Sequence, residues 1–326
     1  MADLRPLTVS VVIPCFDRLA LLRRTLDAVF AQQTRATTGW EIVVADNHPA
    51  LLARPMVEAL VGAAPVPLRH MPAPARNIAR ARNVGVAAAS GALIAFVDDD
   101  EAPEPGWLQA FVDCMDRTGA DAAFGPKWPV FASGAPPAWD PLAENYTTDF
   151  RVPADTKIGR VGKFGRVLGT GNSIMRVATC LNDPKPFDEI LGAADGEDTD
   201  LYFRLLKRGA RFVWCPDAVV HEVMPESRLS LDYMAARLMR GSRTSSRCRM
   251  RATDHKIATH LMLTLVGLAQ LAGHGALYGL TGEFRRADSA RHRLGLARGW
   301  GKLTYRRGAV AFIPEAPAAE APAPAE

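Results

Sequence analysis

Three consecutive aspartates, Asp98, Asp99 and Asp100, directly follow the apolar run 92–97. A short run of β-forming apolar residues predicts a buried strand, and open α/β sheets bind their ligands at the carboxyl ends of such strands. Neighbouring carboxylates repel one another, so the cluster predicts a hard divalent cation that also holds phosphate oxygens. The alternative is a solvated acidic turn that leads into a helix near Pro103 and Pro105.

Strand and helix signals alternate around this run and indicate an α/β fold. Segments rich in β-branched residues predict strands at 9–13, where Pro14 ends the strand, and at 40–45, near 68 and at 92–97. Apolar residues at helical spacing predict helices at 19–30, 56–61 and 76–89. Strands joined through helices imply right-handed crossovers and a mostly parallel sheet flanked by helices. The segment 127–166 is rich in Pro, Gly and Trp and predicts long loops, which commonly carry specificity.

A second acidic group lies roughly one hundred residues after the first, and its placement suggests proton chemistry. Glu197 and Asp198 stand at the predicted start of a helix, where free N–H groups and the macrodipole stabilise carboxylates, so simple capping is one interpretation. A carboxylate held near a metal–phosphate site is also what a general base for a hydroxyl nucleophile requires. Upstream, Gly171 and Asn172 belong to a small-residue loop in which the backbone can approach a ligand closely.

The charge distribution divides the chain into an acidic body and a basic segment. Residues 1–225 carry 23 Lys and Arg against 27 Asp and Glu, whereas residues 226–310 carry 16 against 5. We therefore predict a catalytic domain at 1–225 and a basic helical segment at 226–312 that meets an anionic surface. Residues 313–326 consist mostly of Pro, Ala and Glu and predict a disordered tail.

The apolar stretch 257–280 favours a membrane as this anionic surface. It is interrupted by Thr, His, Gln and Gly, which makes it marginal for a spanning helix and better suited to one or two amphipathic helices. Arginines flank it on both sides, as expected at the cytoplasmic face of an anionic bilayer. The alternative is a helical subdomain that packs on the sheet. A nucleic-acid-binding function is disfavoured because no aromatic residues interleave the cations.

Cysteine usage and the N-terminus indicate a cytoplasmic protein. The five cysteines are scattered and form no Cys-x-x-Cys pair, so neither a zinc site nor a disulfide framework is expected. The first residues lack the long apolar run of a signal peptide. We expect a cytoplasmic location, peripheral at the inner face of the cell membrane.

Six stretches in order carry a resemblance to a known family. They are 11–18, 43–47, 79–85, 96–101, 169–172 and 196–200, within residues 8–222. The chain resembles the family 2 inverting glycosyltransferases of the GT-A fold, a Rossmann-like α/β fold, and within them the bacterial exopolysaccharide glucosyltransferases of the succinoglycan type. Asp17 departs mildly from that pattern, because the family usually has Asn there.

The resemblance implies roles for individual residues. Residues 1–100 form the nucleotide-sugar half and 101–225 the acceptor half. Donor contacts are implied for a set comprising Pro14, Cys15, Phe16, Asp46, Arg76, Arg80, Asp98, Asp99, Gly171 and Asn172. Asp100, the last member of an Asp-x-Asp pattern, is the implied ligand of Mg²⁺ or Mn²⁺, and His221 is a further candidate. Asp198 is the implied base, with Glu197 beside it.

The implied reaction is one displacement that inverts the anomeric carbon of a nucleoside-diphosphate sugar, most simply a UDP-hexose. The acceptor is a saccharide or a polyprenyl-diphosphate-linked sugar in exopolysaccharide or cell-surface synthesis, and nucleic acid is not a partner. Two alternatives remain at this point: a catalytically silent binding protein on the same fold, and a transferase that acts on a protein or a small molecule.

Overall fold

The computed structural model describes residues 8–158, 168–192, 196–281 and 286–307. Its strands, in chain order, are β1 Val9–Cys15, β2 Trp40–Asp46, β3 Leu68–Pro72, β4 Leu93–Phe96, β5 Glu101–Pro103, β6 Ala122–Phe124, β7 Lys127–Phe131, β8 Ser173–Arg176, β9 Phe212–Trp214 and β10 Val220–Met224. Its helices are α1 Leu19–Phe30, α2 Arg54–Leu60, α3 Ile78–Ala88, α4 Trp107–Thr118, α5 Val177–Cys180, α6 Glu189–Gly192, α7 Glu197–Lys207, α8 Leu231–Ala252, α9 Lys256–Thr281 and α10 Arg286–Leu303. A short 3-10 helix, Glu226–Arg228, precedes α8.

A seven-stranded sheet orders the strands β3-β2-β1-β4-β8-β6-β9. The pairs β1–β2, β2–β3, β1–β4 and β6–β9 are parallel, whereas β8 runs antiparallel to both of its neighbours. The prediction of a mostly parallel α/β sheet flanked by helices is confirmed. A second sheet of three strands has the order β5-β10-β7.

The central strands are apolar because helices cover both faces of the sheet. Every residue of β1 and β2 is buried, and α1 packs the buried side chains of Leu22, Leu26 and Val29 into the same core. All these strands run in one direction, so the chain leaves β1, β2 and β4 at the same edge of the sheet. That edge is where the first group of candidate residues lies.

Three details of the prediction were wrong. Strand β1 does not stop before Pro14 but continues to Cys15, because β4 pairs only as far as Val12 and the missing N–H of Pro14 breaks no bond to it. The helix that the alternative interpretation expected near Pro103 and Pro105 starts at Trp107, after the short strand β5. The predicted loop 127–166 begins with a strand, β7.

Two compact units divide the chain. The first comprises Met1–Trp128, Thr148–Ala193 and Arg204–Glu222, and the second comprises Pro129–Thr147, Ala194–Phe203 and Val223–Glu326. The predicted boundary at 225 lies close to the end of the first unit, but two earlier segments belong with the C-terminal helices. The predicted tail 313–326 and residues 308–312 lie outside the described residues.

Candidate active site

The acidic cluster of the first unit begins right after β4 and carries its own counter-ions. Asp99 and Asp100 are almost fully buried and Asp98 is partly exposed. Three basic side chains contact this cluster and its continuation Glu101. They are Arg18, Arg82 and Lys127. The predicted clustering of negative charge is therefore present, and the repulsion is offset by protein cations.

Arg18 reaches the cluster from the turn between β1 and α1. Its two terminal nitrogens donate separately to a carboxylate oxygen of Asp99 and one of Asp100. The hydroxyl of Thr25 on α1 donates to the backbone carbonyls of Asp99 and Glu101, at 3.0 and 2.8 Å, which holds the aspartate loop against that helix. The Arg18 side chain is 28% exposed whereas those of Asp99 and Asp100 are 3% and 7% exposed, so the contact is shielded from water mainly on the acidic side.

Arg82 and Lys127 hold the two outer carboxylates. Arg82, a buried residue of α3, donates to Asp98 at 3.2 Å, and Lys127, at the start of β7, contacts Glu101 and lies 4.0 Å from Asp98. Burial opposes ionisation of Asp98, but Arg82, Lys127 and Arg18 together hold its pKa below the usual range. Burial likewise opposes the charge on Lys127, and the neighbouring carboxylates raise its pKa above the ordinary value.

Asp99 differs from Asp98 in the direction of its pKa shift. Burial, together with Asp100 and Asp98, raises the pKa of Asp99 to about 7 against the opposing effect of Arg18. Among the described residues, its Oδ2 atom is buried without a hydrogen-bond partner. This carboxyl can therefore carry a proton at neutral pH while Asp98 stays ionised.

The small-residue loop before β8 closes over the cluster. A Cβ atom at Gly171 would collide with Asp98 and lie 2.7 Å from Glu101 and from Lys127, so any larger residue there would displace these side chains. Asn172 has a left-handed backbone with φ of 57° and a buried side chain. Its Oδ1 accepts from the indole of Trp107 at 2.7 Å, and its Nδ2 donates to the carbonyls of Pro126 and Ala218. These bonds give Asn172 a clear structural role, and its donor contact stays a prediction.

An aromatic group lies next to β1 and β2. The centroids of the Phe16 and His48 rings lie 4.9 Å apart, and the Arg76 guanidinium lies 5.2 Å from the Phe16 centroid. Arg76 is exposed and has a left-handed backbone with φ of 43°. A planar ring beside a cation is a chemistry that suits a nucleobase. Arg80 is also exposed, whereas Pro14 and Cys15 are buried in β1.

Asp46, one of the implied donor contacts, is buried at the end of β2. It accepts from the backbone N–H groups of His48 and Ala53 at 3.0 and 2.9 Å and pairs with His70 at 3.1 Å. These bonds order the loop after β2, in which His48 lies. A direct contact with the nucleobase stays a prediction.

Asp198, the implied general base, lies at the start of α7, as predicted from the sequence. Asp198 is half-buried, and its Oδ1 accepts from the backbone N–H and the hydroxyl of Thr199. Glu197 is buried and accepts from the N–H of Gly196 at 3.0 Å. Gly196 has φ of 151° and packs against Thr244 of α8, so this turn is fixed within the second unit. The role of Asp198 as general base stays a prediction.

A divalent cation fits the chemistry of the cluster but is not enclosed by it. No three His, Cys, Asp or Glu side chains in the described ranges converge so that they could hold a metal ion. His221 instead pairs its ring with Glu104 at 3.0 Å, and its strand β10 lies beside β5. The hard oxygens of Asp98 and Asp100 and the orphaned Oδ2 of Asp99 suit Mg²⁺ or Mn²⁺. The metal roles of Asp100 and His221 stay predictions.

Sequence reasoning missed the three cations. Arg82 lies between the residues of α3 that face the core, since Ala79 and Asn83 are buried with it, and that spacing could have identified it. Arg18 and Lys127 had no such signal, because a turn arginine and a strand-edge lysine are ordinarily solvated. Their role depends on pairing across 82 and 26 residues of chain.

The sheet order and the acidic loop after β4 are those of a GT-A nucleotide-sugar fold. Residues 1–349 of TarS of S. aureus in complex with UDP align over 92% of both chains, with a TM-score of 0.54 at 15% identity, which shows the shared fold. The family described as Glycosyl transferase family 2 matches residues 10–180. This protein belongs to that family, as the sequence resemblance predicted.

Curated relatives agree with this assignment. A succinoglycan biosynthesis protein, ExoM of Rhizobium meliloti, is 31% identical over 233 residues, which is 72% of each chain. The pre-mycofactocin glycosyltransferase of Mycobacterium tuberculosis is 28% identical over 215 residues, and the match spans 42% of that longer protein. The protein is therefore a family 2 glycosyltransferase related to enzymes of exopolysaccharide biosynthesis.

Proposed function

We propose that this protein transfers a hexose from a nucleoside-diphosphate sugar, taken here as a UDP-hexose, to a saccharide or polyprenyl-diphosphate-linked acceptor, with inversion of the anomeric carbon. The product would be an intermediate of exopolysaccharide or cell-surface polysaccharide. The observation that carries the proposal is the acidic cluster after β4 with Arg18, Arg82 and Lys127 among its carboxylates.

This mixture of charges suits a diphosphate that brings its own metal ion. Phosphate oxygens need cationic partners, and Lys127 and Arg82 lie at the same loop as the carboxylates. Asp98 and Asp100 are the residues expected to hold Mg²⁺ or Mn²⁺ through hard oxygen contacts. When bound, such an ion supplies positive charge opposite the leaving diphosphate.

Nucleoside recognition is assigned to the carboxyl ends of β1 and β2. The exposed Arg76 and the half-buried Phe16 offer a cation and a ring face to the base. Asp46 fixes the loop that carries His48, the second ring of this group. The backbone of Pro14 and Cys15 would lie along the nucleoside at the end of β1, and Arg80 would contact phosphate.

Asp198 is assigned as the general base. Its carboxylate accepts the proton of the acceptor hydroxyl as the oxygen attacks the anomeric carbon, and the bond to the diphosphate breaks in the same step. One displacement inverts the centre, so an α-linked donor gives a β-glycoside. Glu197 lies beside the base and is held by the Gly196 N–H, which fixes the helix start.

The acceptor is met at the cytoplasmic face of the cell membrane. Residues 226–310 carry 16 Lys and Arg against 5 Asp and Glu, a balance that attracts both anionic headgroups and an acceptor diphosphate. A nucleic-acid partner is not part of the proposal.

Donor turnover tests this function directly. Purified protein is incubated with UDP-, GDP- and dTDP-sugars, with Mn²⁺, Mg²⁺ or excess chelator, and nucleotide release and glycoside formation are measured. We expect release from a UDP-hexose that depends on metal, and NMR of the glycoside should show the opposite anomeric configuration.

The outcome separates the alternatives. Tight UDP-sugar binding without turnover, across lipid-linked, saccharide, protein and small-molecule acceptors, would establish a silent binding protein. Undiminished turnover in chelator would overturn the metal assignment. Retention of the anomeric configuration would overturn the single displacement.

A further inference from the structure

Helix α9 in the second unit has its polarity inverted for a helix in water. Its outward face is apolar, and Ile257, Leu265 and Leu280 are 79%, 66% and 82% exposed. Other exposed apolar residues of α9 are Leu261, Met262, Val266, Leu268, Leu277 and Tyr278. No Asp, Glu, Lys or Arg occurs from Ile257 to Thr281. A surface helix in water ordinarily presents charged residues to solvent and apolar residues to the core.

The polar residues of α9 point inward, towards the neighbouring helices. His260 pairs with the Tyr305 hydroxyl at 3.0 Å, and Gln270 accepts from the ammonium of Lys302 at 3.0 Å. The ring of His274 contacts that of His292 at 3.2 Å. The inner face is therefore satisfied within the unit by polar contacts with α10 and the residues after it. These contacts fix which side of α9 faces outward.

The exposed apolar side of α9 would be more stable against an apolar surface than in water, and a membrane is one such surface. By length and composition, α9 is the one helix in the described part of the chain that could cross a membrane, with only 11% of its most apolar window buried. A spanning position is unsuitable, because α10 covers the inner side and brings Arg298 and Lys302 with it. A helix with one apolar side and one covered polar side lies in the interface plane.

Charge at the helix ends identifies the surface as anionic. Lys256 is exposed at the start of α9 and Arg251 is half-exposed just before it. The sequence places Arg285 and Arg286 directly after the other end. A shallow hollow of about 360 Å³ lies where the apolar and polar sides of α9 meet, lined by Val266, Ala269, Gln270, Gly273, His274 and Leu277.

We propose that the outward face of α9 inserts into the interfacial region of an anionic lipid bilayer, with the helix axis parallel to the membrane plane. The inference rests on the second unit alone, so it is independent of the transferase chemistry. Charge attracts the protein to the headgroups, and the apolar face holds it there.

Vesicle co-sedimentation of the full chain tests the proposal. Vesicles of phosphatidylcholine with and without phosphatidylglycerol are mixed with wild type and with the double variant Leu261→Glu, Leu265→Glu, at low salt and at about 0.5 M NaCl, where surface charge is strongly screened. The matched control is Ile190→Glu, which changes an 85% exposed apolar residue of the first unit. Circular dichroism establishes that all three proteins are folded.

We expect wild type and the control to bind phosphatidylglycerol vesicles and to retain binding at high salt. The double variant should bind at least about tenfold more weakly, because two carboxylates enter the interface. Failure of wild type to bind at low salt, or equal binding by the double variant, would overturn the proposal. The proposal would also be overturned if wild type formed a dimer and bound no lipid while the double variant was a monomer, since the face would then be a contact between two copies.

Discussion

Removal of Arg18 is the sharpest test of the electrostatics of the acidic cluster. Arg18→Met keeps the length of the side chain but leaves Asp99 and Asp100 without their shared cation. Loss of one partner of a buried ion pair costs about 3–5 kcal/mol. Arg18 is 28% exposed and Asp99, with a pKa of about 7, can take up a proton, so we expect the lower cost of about 2–3 kcal/mol.

The assay is thermal unfolding with and without Mn²⁺. For a chain of this size the loss corresponds to a fall in Tm of roughly 3–4 °C. Mn²⁺ should raise the Tm of the variant more than that of wild type, because the metal meets two carboxylates that Arg18 no longer occupies. Binding of Mn²⁺ in the absence of nucleotide, followed by electron paramagnetic resonance, should tighten in the variant for the same reason.

Arg23→Met is the matched control. Arg23 lies on α1 and makes an exposed pair with Asp27 at 2.9 Å, four residues along the helix. Such a pair contributes about 0.3–0.5 kcal/mol. A Tm of Arg18→Met equal to that of the control would refute the argument that Arg18 neutralises the cluster. Identical Mn²⁺ binding in wild type and Arg18→Met would refute the idea that Arg18 and a metal compete.

Three further predictions concern the base, the sheet and the loop. Asp198→Asn should lower turnover by about 10² or more with little change in donor affinity, measured by steady-state kinetics; near-normal turnover would move the role to Glu197 or Asp200. Burial opposes ionisation of Glu41, but its hydrogen bonds lower the pKa of this carboxyl in the folded protein. Ionised Glu41 therefore stabilises the fold above its ordinary pKa, and this stabilisation is lost as the pH falls through the lower folded pKa. Urea unfolding of Glu41→Gln should show a weaker acid dependence than that of wild type. Gly171→Ala should weaken UDP binding in calorimetry, because its Cβ displaces Asp98.

The fold could be predicted because its signals are local. The runs that became β1, β2 and β4 are mostly apolar, and the helical spacing of Leu22, Leu26 and Val29 defines the buried face of α1. The antiparallel strand β8 was missed, and so was β7, which lies in the segment predicted as a loop. Their partners lie far away in the chain, and strands of four and five residues carry little pattern of their own.

The acidic half of the site could be predicted and the basic half could not. Asp98 to Asp100 stand together in the sequence, whereas Arg18 and Lys127 reach them only through the fold. The polarity of α9 was also out of reach. Its apolar residues occur nearly all around the stretch, and only the packing of α10 decides that His260, Gln270 and His274 face inward.

The balance of charge in the cluster leads to a last prediction, on the order of donor and metal binding. The four acidic side chains from Asp98 to Glu101 meet the three cations Arg18, Arg82 and Lys127, and Asp99 can carry a proton at neutral pH, so the group is close to neutral before any ligand binds. A metal ion alone adds positive charge beside the three cations, and a diphosphate alone adds negative charge beside the carboxylates, whereas the charges of metal and diphosphate together nearly cancel. We therefore expect Mn²⁺ and UDP each to tighten binding of the other, by the same factor of about 5–150 that coupled sites commonly show. Calorimetric titration of UDP with and without Mn²⁺, and of Mn²⁺ with and without UDP, measures both sides of this coupling. Equal affinities in the presence and absence of the other ligand would show that the cluster does not bind the two together.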